Sequence, residues 1–267
     1  TADLKKAIEE TTGQNMDWFF KQWIYEPGFP EYNVTWKYNQ RNKSVKLTVK
    51  QTQKNTNIFK MPVQIRVDDD LHTIWIEDKE MVYEVPADKR PKMVIFNAGM
   101  RIPCKLTFNK SISEWIIQLE KGPHILDRIA AAKELSTKKG RHIVESALLN
   151  AAKSDPFWGV RKEAVNAFAK LKSKKYADDL MALSKGQDNR VRRAIWNALK
   201  NYKNNESVSA FLQDVISNDE KYYSVADAYK ALVAVDTAAA RQKVDALLDT
   251  DSHSDVIRKS AITYYGS

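Results

Sequence analysis

The chain has 267 residues, of which 43% are hydrophobic and 29% charged, a composition typical of a globular protein with one large or two medium domains. It has no run of 18 apolar residues, so no membrane span is predicted, and its single cysteine, Cys104, excludes an internal disulfide framework. The chain starts at Thr1 without an initiator Met, which indicates a processed product or a piece of a longer chain.

Two short helices are predicted at the start of the chain. Asp3 is placed to cap the first helix and Gly13 to end it, and Asn15 is placed to cap the second. Pro27, Gly28 and Pro30 then stop helical structure. The second helix is apolar around much of its circumference, which predicts burial against something large. Its aromatic residues are Trp18, Phe19, Phe20 and Trp23.

Strands are predicted over residues 29–108. Apolar and polar residues alternate in five segments: Tyr32–Trp36, Val45–Val49, Val63–Val67, Ile74–Ile76 and Val82–Val85. Met93–Phe96 is a continuous apolar run that predicts a strand buried on both faces. Six or seven short strands in this length indicate a small β-sandwich. Residues 68–70 are three consecutive aspartates, and we interpret them as a hairpin turn because no further cation-ligand spacing follows.

Residues 109–267 predict an all-α array with an internal repeat. Residues 160–167 (VRKEAVNA) recur at residues 191–198 as VRRAIWNA. A spacing near 33 residues is typical of paired-helix solenoids of the HEAT type, in which small residues let neighbouring helices approach closely. The aligned positions are Ala131, Ala164, Ile195, Ala228 and Ala261.

Charged residues recur in the same array. Asp155, Asp188 and Asp251 each precede a repeat unit and are predicted to cap or brace the turn there. Arg161 and Arg192 occupy equivalent positions, and we predict that they brace the next repeat.

The first part of the chain resembles zinc aminopeptidases related to aminopeptidase N. Thr12-Gly13, Phe19-Phe20 and Trp23 fit the family's TG-x-x-x-x-x-FF-x-x-W helix, and Gly28-Phe29-Pro30 fits its G-x-P turn. Gln51 or Gln53 fits the glutamine that ends the second strand of the family's β-domain. Phe59–Ile65 fits F-x-x-P-V-x-I, and Pro91–Asn97 fits P-x-x-V-x-x-D except that Asn97 replaces the aspartate.

The resemblance implies three domains and places the chemistry elsewhere. Residues 1–28 would end the catalytic domain, residues 29–108 would form the β-sandwich, and residues 109–267 would form the HEAT-like array. The family's zinc site needs H-E-x-x-H, yet none of the four histidines has another histidine four residues away. The family's G-x-M-E-N segment is also missing. We therefore expect no catalytic, cofactor or metal residue in this chain, with zinc and peptide substrates bound by the parent's upstream catalytic domain.

Two other classes of function stay open. The chain could be a stand-alone scaffold for a protein partner, although the aromatic helix favours a missing upstream domain. Nucleic-acid binding would suit the net charge of +9, but the charge is uneven: residues 153–203 carry 13 basic and 5 acidic residues, whereas residues 204–267 carry 6 and 10. The acidic last third disfavours nucleic acid. The basic stretch indicates either solvated helix faces or a surface for an anionic ligand.

Overall fold

The computed structural model describes residues 1–54 and 56–266 of the chain. These residues divide into two compact units, one ending at Gln118 and one beginning at Leu119. The first unit contains a small β-sheet region, and the second is a helical repeat array. The division into three domains at residues 28 and 108 stays a prediction.

The first unit opens with two helices. Gly13, at φ +66°, ends the first helix as expected, and its N–H donates to the Glu9 carbonyl. The Asn15 side chain accepts from the Asp17 N–H at 2.9 Å, but the N-cap of the second helix is Met16, so the cap predicted at Asn15 is wrong by one residue. The predicted cap at Asp3 is wrong, because Asp3 lies inside the first turn. The helices are α1 (Ala2–Thr12) and α2 (Asp17–Phe20), and α2 continues as a π-helix (Lys21–Tyr25).

Two sheets follow, and each predicted alternation lies in a strand. Within the described residues the strands are β1 (Glu31–Asn39), β2 (Ser44–Gln51), β3 (Met61–Val67), β4 (Asp70–Ile76), β5 (Glu80–Pro86), β6 (Val94–Phe96) and β7 (Lys105–Phe108). One sheet has the order β5-β2-β1-β7 and the other β4-β3-β6. All three residues of β6 are buried, as its continuous apolar run predicted. The short β7, which pairs parallel to β1, was not singled out from the sequence.

Three amide side chains hold the loops of this unit by forming the pair of backbone hydrogen bonds that a residue of a neighbouring strand would form. Gln51 accepts from the Phe59 N–H at 2.9 Å and donates to the Phe59 carbonyl at 2.8 Å, and it is almost fully buried. Gln22 makes the same reciprocal pair with the backbone of Lys60. An amide matches a backbone in this way because it carries both a donor and an acceptor. Gln51 is the last residue of β2, and Gln53 supports the same loop by donating to the Gln51 side chain at 2.8 Å and to the Asn57 carbonyl at 3.1 Å.

Asn97 is the third of these amides. It has φ +55°, accepts from the Ile102 N–H at 3.1 Å and donates to the Ile102 carbonyl at 2.8 Å. A carboxylate at this buried position could accept but not donate, so it would face the Ile102 carbonyl without a proton. The departure from aspartate in the resembling family thus has a local hydrogen-bonding role here.

Gly28 shows why a glycine precedes Pro30. Its φ is +107°, and a Cβ added there would lie 2.8 Å from the Thr56 side-chain oxygen. That oxygen is held in place because it donates to the Pro27 carbonyl at 3.0 Å. The chain can pass this point only without a side chain.

The second unit is built from helices packed in pairs. Helix α3 (Ile112–Lys121) crosses the boundary between the units. The others in the described residues are α4 (Ile125–Leu135), α5 (His142–Ser154), α6 (Trp158–Leu171), α7 (Ala177–Leu183), α8 (Asn189–Leu199), α9 (Glu206–Asn218), α10 (Tyr222–Val235), α11 (Thr237–Leu248) and α12 (Val256–Ile262). The second helices α4, α6, α8, α10 and α12 contact one another in chain order.

The predicted repeat positions lie on these second helices. Each helix contributes one of them, and each of the five side chains is fully buried. Small side chains at four of the five positions allow close helix contacts, as the spacing predicted. The five are Ala131, Ala164, Ile195, Ala228 and Ala261.

We expect Ala164→Leu to lower the free energy of unfolding by about 1–3 kcal/mol, because three extra carbons must enter a filled contact. Urea denaturation measures this. The control is Lys162→Leu in the same helix, where an exposed side chain should change stability by less than about 0.5 kcal/mol. Lys174, which looks suitable from the sequence, is a poorer control because its ammonium donates to the Asn201 carbonyl. Equal losses at positions 162 and 164 would contradict the repeat register.

Candidate interaction surfaces

The four histidines lie far apart in the chain and are not assembled into a metal site. His72 lies on β4, His124 precedes α4, His142 begins α5 and His253 lies in a short 3₁₀ helix. Among the described residues no group of three or more His, Cys, Asp and Glu side chains could hold a metal ion. None of the described helices has the length and apolar character needed to cross a membrane.

Two other candidate groups have structural roles. The Asp68 carboxylate accepts from the backbone N–H groups of Lys92 and Met93, both at 2.9 Å, so it fastens the predicted hairpin turn to the segment before β6. Cys104 is half-buried and accepts a hydrogen bond from the Asn97 amide at 3.4 Å. Burial raises the pKa of its thiol, which keeps it protonated and unreactive at neutral pH.

The N-terminal helices and β4 carry half-buried and exposed apolar side chains that we together call the aromatic surface. They are Trp18, Phe19, Ile24 and Tyr25 of the helices and Trp75 of β4. Trp18 and Phe19 are half-buried, whereas Ile24 is 50% and Tyr25 61% exposed. Trp18 packs edge-on against Trp75 of β4, with ring centroids 5.6 Å apart. Of the aromatic residues of this helix that sequence reasoning singled out, only Phe20 is buried. The apolar surface predicted for this helix is therefore partly uncovered in the chain.

This surface is held in a fixed place on the sheet region. Besides the Trp18 contact, the indole of Trp23 packs on Phe59 at 5.2 Å and donates to the sulfur of Met61 at 3.0 Å. The buried Gln22 ties the same turn to Lys60. Exposed apolar side chains on a rigid support are typical of a protein–protein contact.

Replacing Ile24 and Tyr25 together by serine should reduce self-association of the isolated chain, because it removes exposed apolar area without disturbing the core. Analytical ultracentrifugation measures this. The control is Val82→Ser, an exposed apolar residue on β5 outside the aromatic surface. If the control reduces association as much as the double variant, the aromatic surface is not the site of contact.

The second unit contains a series of arginines that we call the brace ladder, formed by Arg128, Arg161 and Arg192. Arg128 binds Asp155 through two hydrogen bonds of 2.7 and 3.2 Å. Arg161 donates to the Gln187 side chain at 2.9 Å, and Arg192 binds Asp219. Each arginine lies on the second helix of one pair and reaches the turn before the next second helix, so the predicted bracing by Arg161 and Arg192 is confirmed.

The three aspartates predicted at the turns behave differently. Asp155 is buried and accepts from the Phe157 N–H as well as from Arg128. Asp188 caps α8, and hydrogen bonds from the Arg190 guanidinium and backbone lower its pKa to about 2. Asp251 is fully exposed, 3.3 Å from Arg258. The bracing prediction thus holds at two turns and is weak at the third, where the carboxylate stays in water.

The ladder is interrupted between the fourth and fifth second helices. The position equivalent to Arg192 in α10 is Val225, which is buried and cannot donate a hydrogen bond. Arg258 of α12 instead binds Asp251 and Asp255, next to its own helix. The last helix pair therefore receives no arginine brace at this position; its contacts with the preceding pair include a hydrogen bond of 3.2 Å from the Tyr229 hydroxyl to the Ala240 carbonyl.

Asp155→Ala should lower the free energy of unfolding by about 3–5 kcal/mol, because it leaves the Arg128 charge unpaired in a nearly buried site. Thermal and urea denaturation measure the loss. The matched control, Asp251→Ala, removes an aspartate at the equivalent turn that is fully exposed, and we expect no measurable change in the midpoint. A loss at position 251 as large as at position 155 would contradict the ladder.

A groove of about 610 Å³ lies beside the first brace. It is lined by the end of α3, the end of α5 and the turn before α6, with Lys121, Lys153, Glu120 and the Arg128–Asp155 pair at its surface. Lys121 and Lys153 stand in the last turns of α3 and α5, where the helix dipole favours positive charge. Its described lining contains no histidine or cysteine.

Comparisons with known proteins agree with this architecture. A model of HEAT repeats matches two overlapping segments, residues 112–200 and 145–226. Among solved structures, the chain is similar over 99% of its length to Legionella pneumophila aminopeptidase A, crystallised in complex with aspartic acid, with a TM-score of 0.53 and 17% sequence identity. The matched region is 34% of that enzyme, so the chain spans about a third of its length. A search of curated proteins found no match.

Proposed function

We propose that this chain is the non-catalytic C-terminal portion of a zinc aminopeptidase resembling aminopeptidase N. The observation that carries the proposal is the whole-chain fold likeness to about a third of a known aminopeptidase, in a chain whose described residues hold no metal-binding group. The order of a helical segment, a β-region and a HEAT-like array accounts for almost every residue. In the parent, a metal-activated water in the upstream catalytic domain would remove N-terminal residues from peptides.

The aromatic surface is the proposed contact with that catalytic domain. Tyr25 and Ile24 are exposed although the helix beneath them is anchored by Gln22 and by the Trp18–Trp75 packing. A second domain covering this surface would bury apolar area at about 25 cal/mol per Å². The helices α1 and α2 would then be the last part of the catalytic domain.

The remaining parts would form the β-sandwich and a cover over the active site. We infer a small sandwich because Tyr32 of β1 and Phe96 of β6, on different sheets, pack edge-on at 5.2 Å between ring centroids. The helical array is proposed to close over the catalytic domain and restrict the size of substrates. Its brace ladder would give the cover the stiffness that such a role needs.

A second candidate function is a stand-alone scaffold that binds a protein partner. The observation that favours it is the HEAT-repeat match, since arrays of this type present long surfaces. The scaffold proposal does not identify what kind of protein would cover the exposed Tyr25 and Ile24. Nucleic-acid binding has less support, because the main arginines of the basic stretch, Arg161 and Arg192, are engaged between repeats.

The two candidates differ in what lies upstream. We expect the coding sequence before Thr1 to contain H-E-x-x-H followed by a distant glutamate, and the longer product to release p-nitroaniline from aminoacyl p-nitroanilides until a chelator removes its zinc. The chain alone, with zinc added, should give no turnover. An upstream region without the motif would favour the scaffold. Zinc-dependent turnover by the isolated chain, lost in His142→Ala but kept in His253→Ala, would refute the proposal.

A further inference from the structure

The basic stretch contains one group of cations that the brace ladder does not use. Arg193, Asn197 and Lys200 are spaced four and three residues apart, so they lie along one face of α8 and its C-terminal end. Asp227 and Lys230 are one turn apart on the neighbouring helix α10. These five residues form what we call the α8–α10 cluster.

The geometry ties the two helices together on this face. The Arg193 guanidinium donates to Asp227 at 2.6 Å, and the Lys230 ammonium is 3.9 Å from the other oxygen of the same carboxylate. Arg193 also lies over the ring of Tyr223, 5.0 Å from its centroid, which fixes the plane of the guanidinium. The side chains of Arg193 and Asp227 are 35% and 26% exposed, so the pair lies at the edge of solvent.

The cluster has more positive than negative charge. Three cations, Arg193, Lys200 and Lys230, lie near one carboxylate. Burial is the main cause that lowers the pKa of the Lys200 ammonium; Asp227 raises this pKa, and Lys230 lowers it by less than Asp227 raises it. Among the described residues, neither the Lys200 ammonium nor the Asn197 side-chain amide forms a hydrogen bond, although the Asp227 carboxylate is near enough to act on the pKa of Lys200. Two ammonium groups and an amide are thus available as donors on one face.

We propose that Arg193, Asn197, Lys200 and Lys230 form a binding site for a small oxyanion, a carboxylate or phosphate group. An anion there would receive charge-assisted hydrogen bonds from the two lysines and a neutral one from Asn197. It would also relieve the repulsion between Lys200 and Lys230. Asp227 would compete with the anion, because its carboxylate already contacts Arg193 and Lys230. The inference does not depend on the proposed function, since binding belongs to this chain alone.

The helical register favours this place over other parts of the basic stretch. Lys174 donates to the Asn201 carbonyl, and Arg190 is held by two hydrogen bonds to Asp188. Arg161 and Arg192 belong to the brace ladder. In the α8–α10 cluster, by contrast, three cations lie near the single carboxylate of Asp227.

The test is an NMR titration of the ¹⁵N-labelled chain with inorganic phosphate, following the Asn197 side-chain amide at constant ionic strength. We expect saturable shifts with a Kd on the order of 1 mM. Lys200→Gln and Lys230→Gln should each weaken binding about tenfold, the loss expected for one charge-assisted hydrogen bond. The control is Lys185→Gln, which removes the same charge before the opposite end of α8, and it should leave the Kd within about twofold.

A further variant separates a binding site from a merely structural cluster. Asp227→Asn removes the internal competitor, so phosphate should bind several-fold more tightly to this variant. An ion-pair cluster with only a structural role would be loosened by the same change and would bind no better. Unsaturable shifts, equal effects of the changes at positions 185, 200 and 230, or weaker binding to Asp227→Asn would each overturn the proposal.

The source of the oxyanion follows from parallel titrations. An N-acetylated tripeptide with a free C-terminus is compared with the same peptide amidated at its C-terminus. Saturable binding of the free peptide, absent for the amidated one, would identify a terminal carboxylate as an occupant. Binding of phosphate with neither peptide would identify a phosphate group. Binding of the amidated peptide at the same affinity would contradict oxyanion recognition.

Discussion

Close contact between successive second helices is the constraint on which the helical unit depends. Each contact uses a fully buried residue at one repeat position, and four of these five are alanines. A larger side chain there would push the two helices apart. It would also move the arginine on one helix away from its acceptor in the turn before the next. The brace ladder needs this spacing, because an Arg128–Asp155 pair with hydrogen bonds of 2.7 and 3.2 Å tolerates little displacement.

In the first unit, side-chain amides rather than arginines hold neighbouring segments in place. Its loops are fixed by reciprocal amide pairs from Gln22, Gln51 and Asn97, each of which supplies both a donor and an acceptor to one backbone residue. The pairs satisfy buried backbone groups that have no strand partner. They also explain how a helix with exposed aromatic residues stays firmly attached to a small sheet region.

Strands and helical repeats could be predicted because their residues recur at a regular spacing in the sequence. Helix caps and ion pairs could not, because they depend on which groups the fold brings together. The alternations around Val45–Val49 and Val63–Val67 gave the right strands, and the repeat near 33 residues placed Ala164 and Ala228 in the core. The capping role of Asp3 was wrong because several residues compete for a helix start, and only local geometry selects one. The α8–α10 cluster lay inside the basic stretch noted from the sequence, but which cations were already engaged depended on acceptors 27 to 34 residues away.

The missing brace at Val225 gives the array unequal strength along its length. In a solenoid each pair is stabilised by its own packing and by its neighbours, so the weakest junction decides where opening begins. The α11–α12 pair receives no arginine from α10 at the position of Val225, and the Tyr229–Ala240 hydrogen bond joins two neutral groups. Thermal opening should therefore start at that end and proceed toward α4. Amide hydrogens of α12 would exchange with solvent well before those of α6, although both helices bury an alanine at the same repeat position.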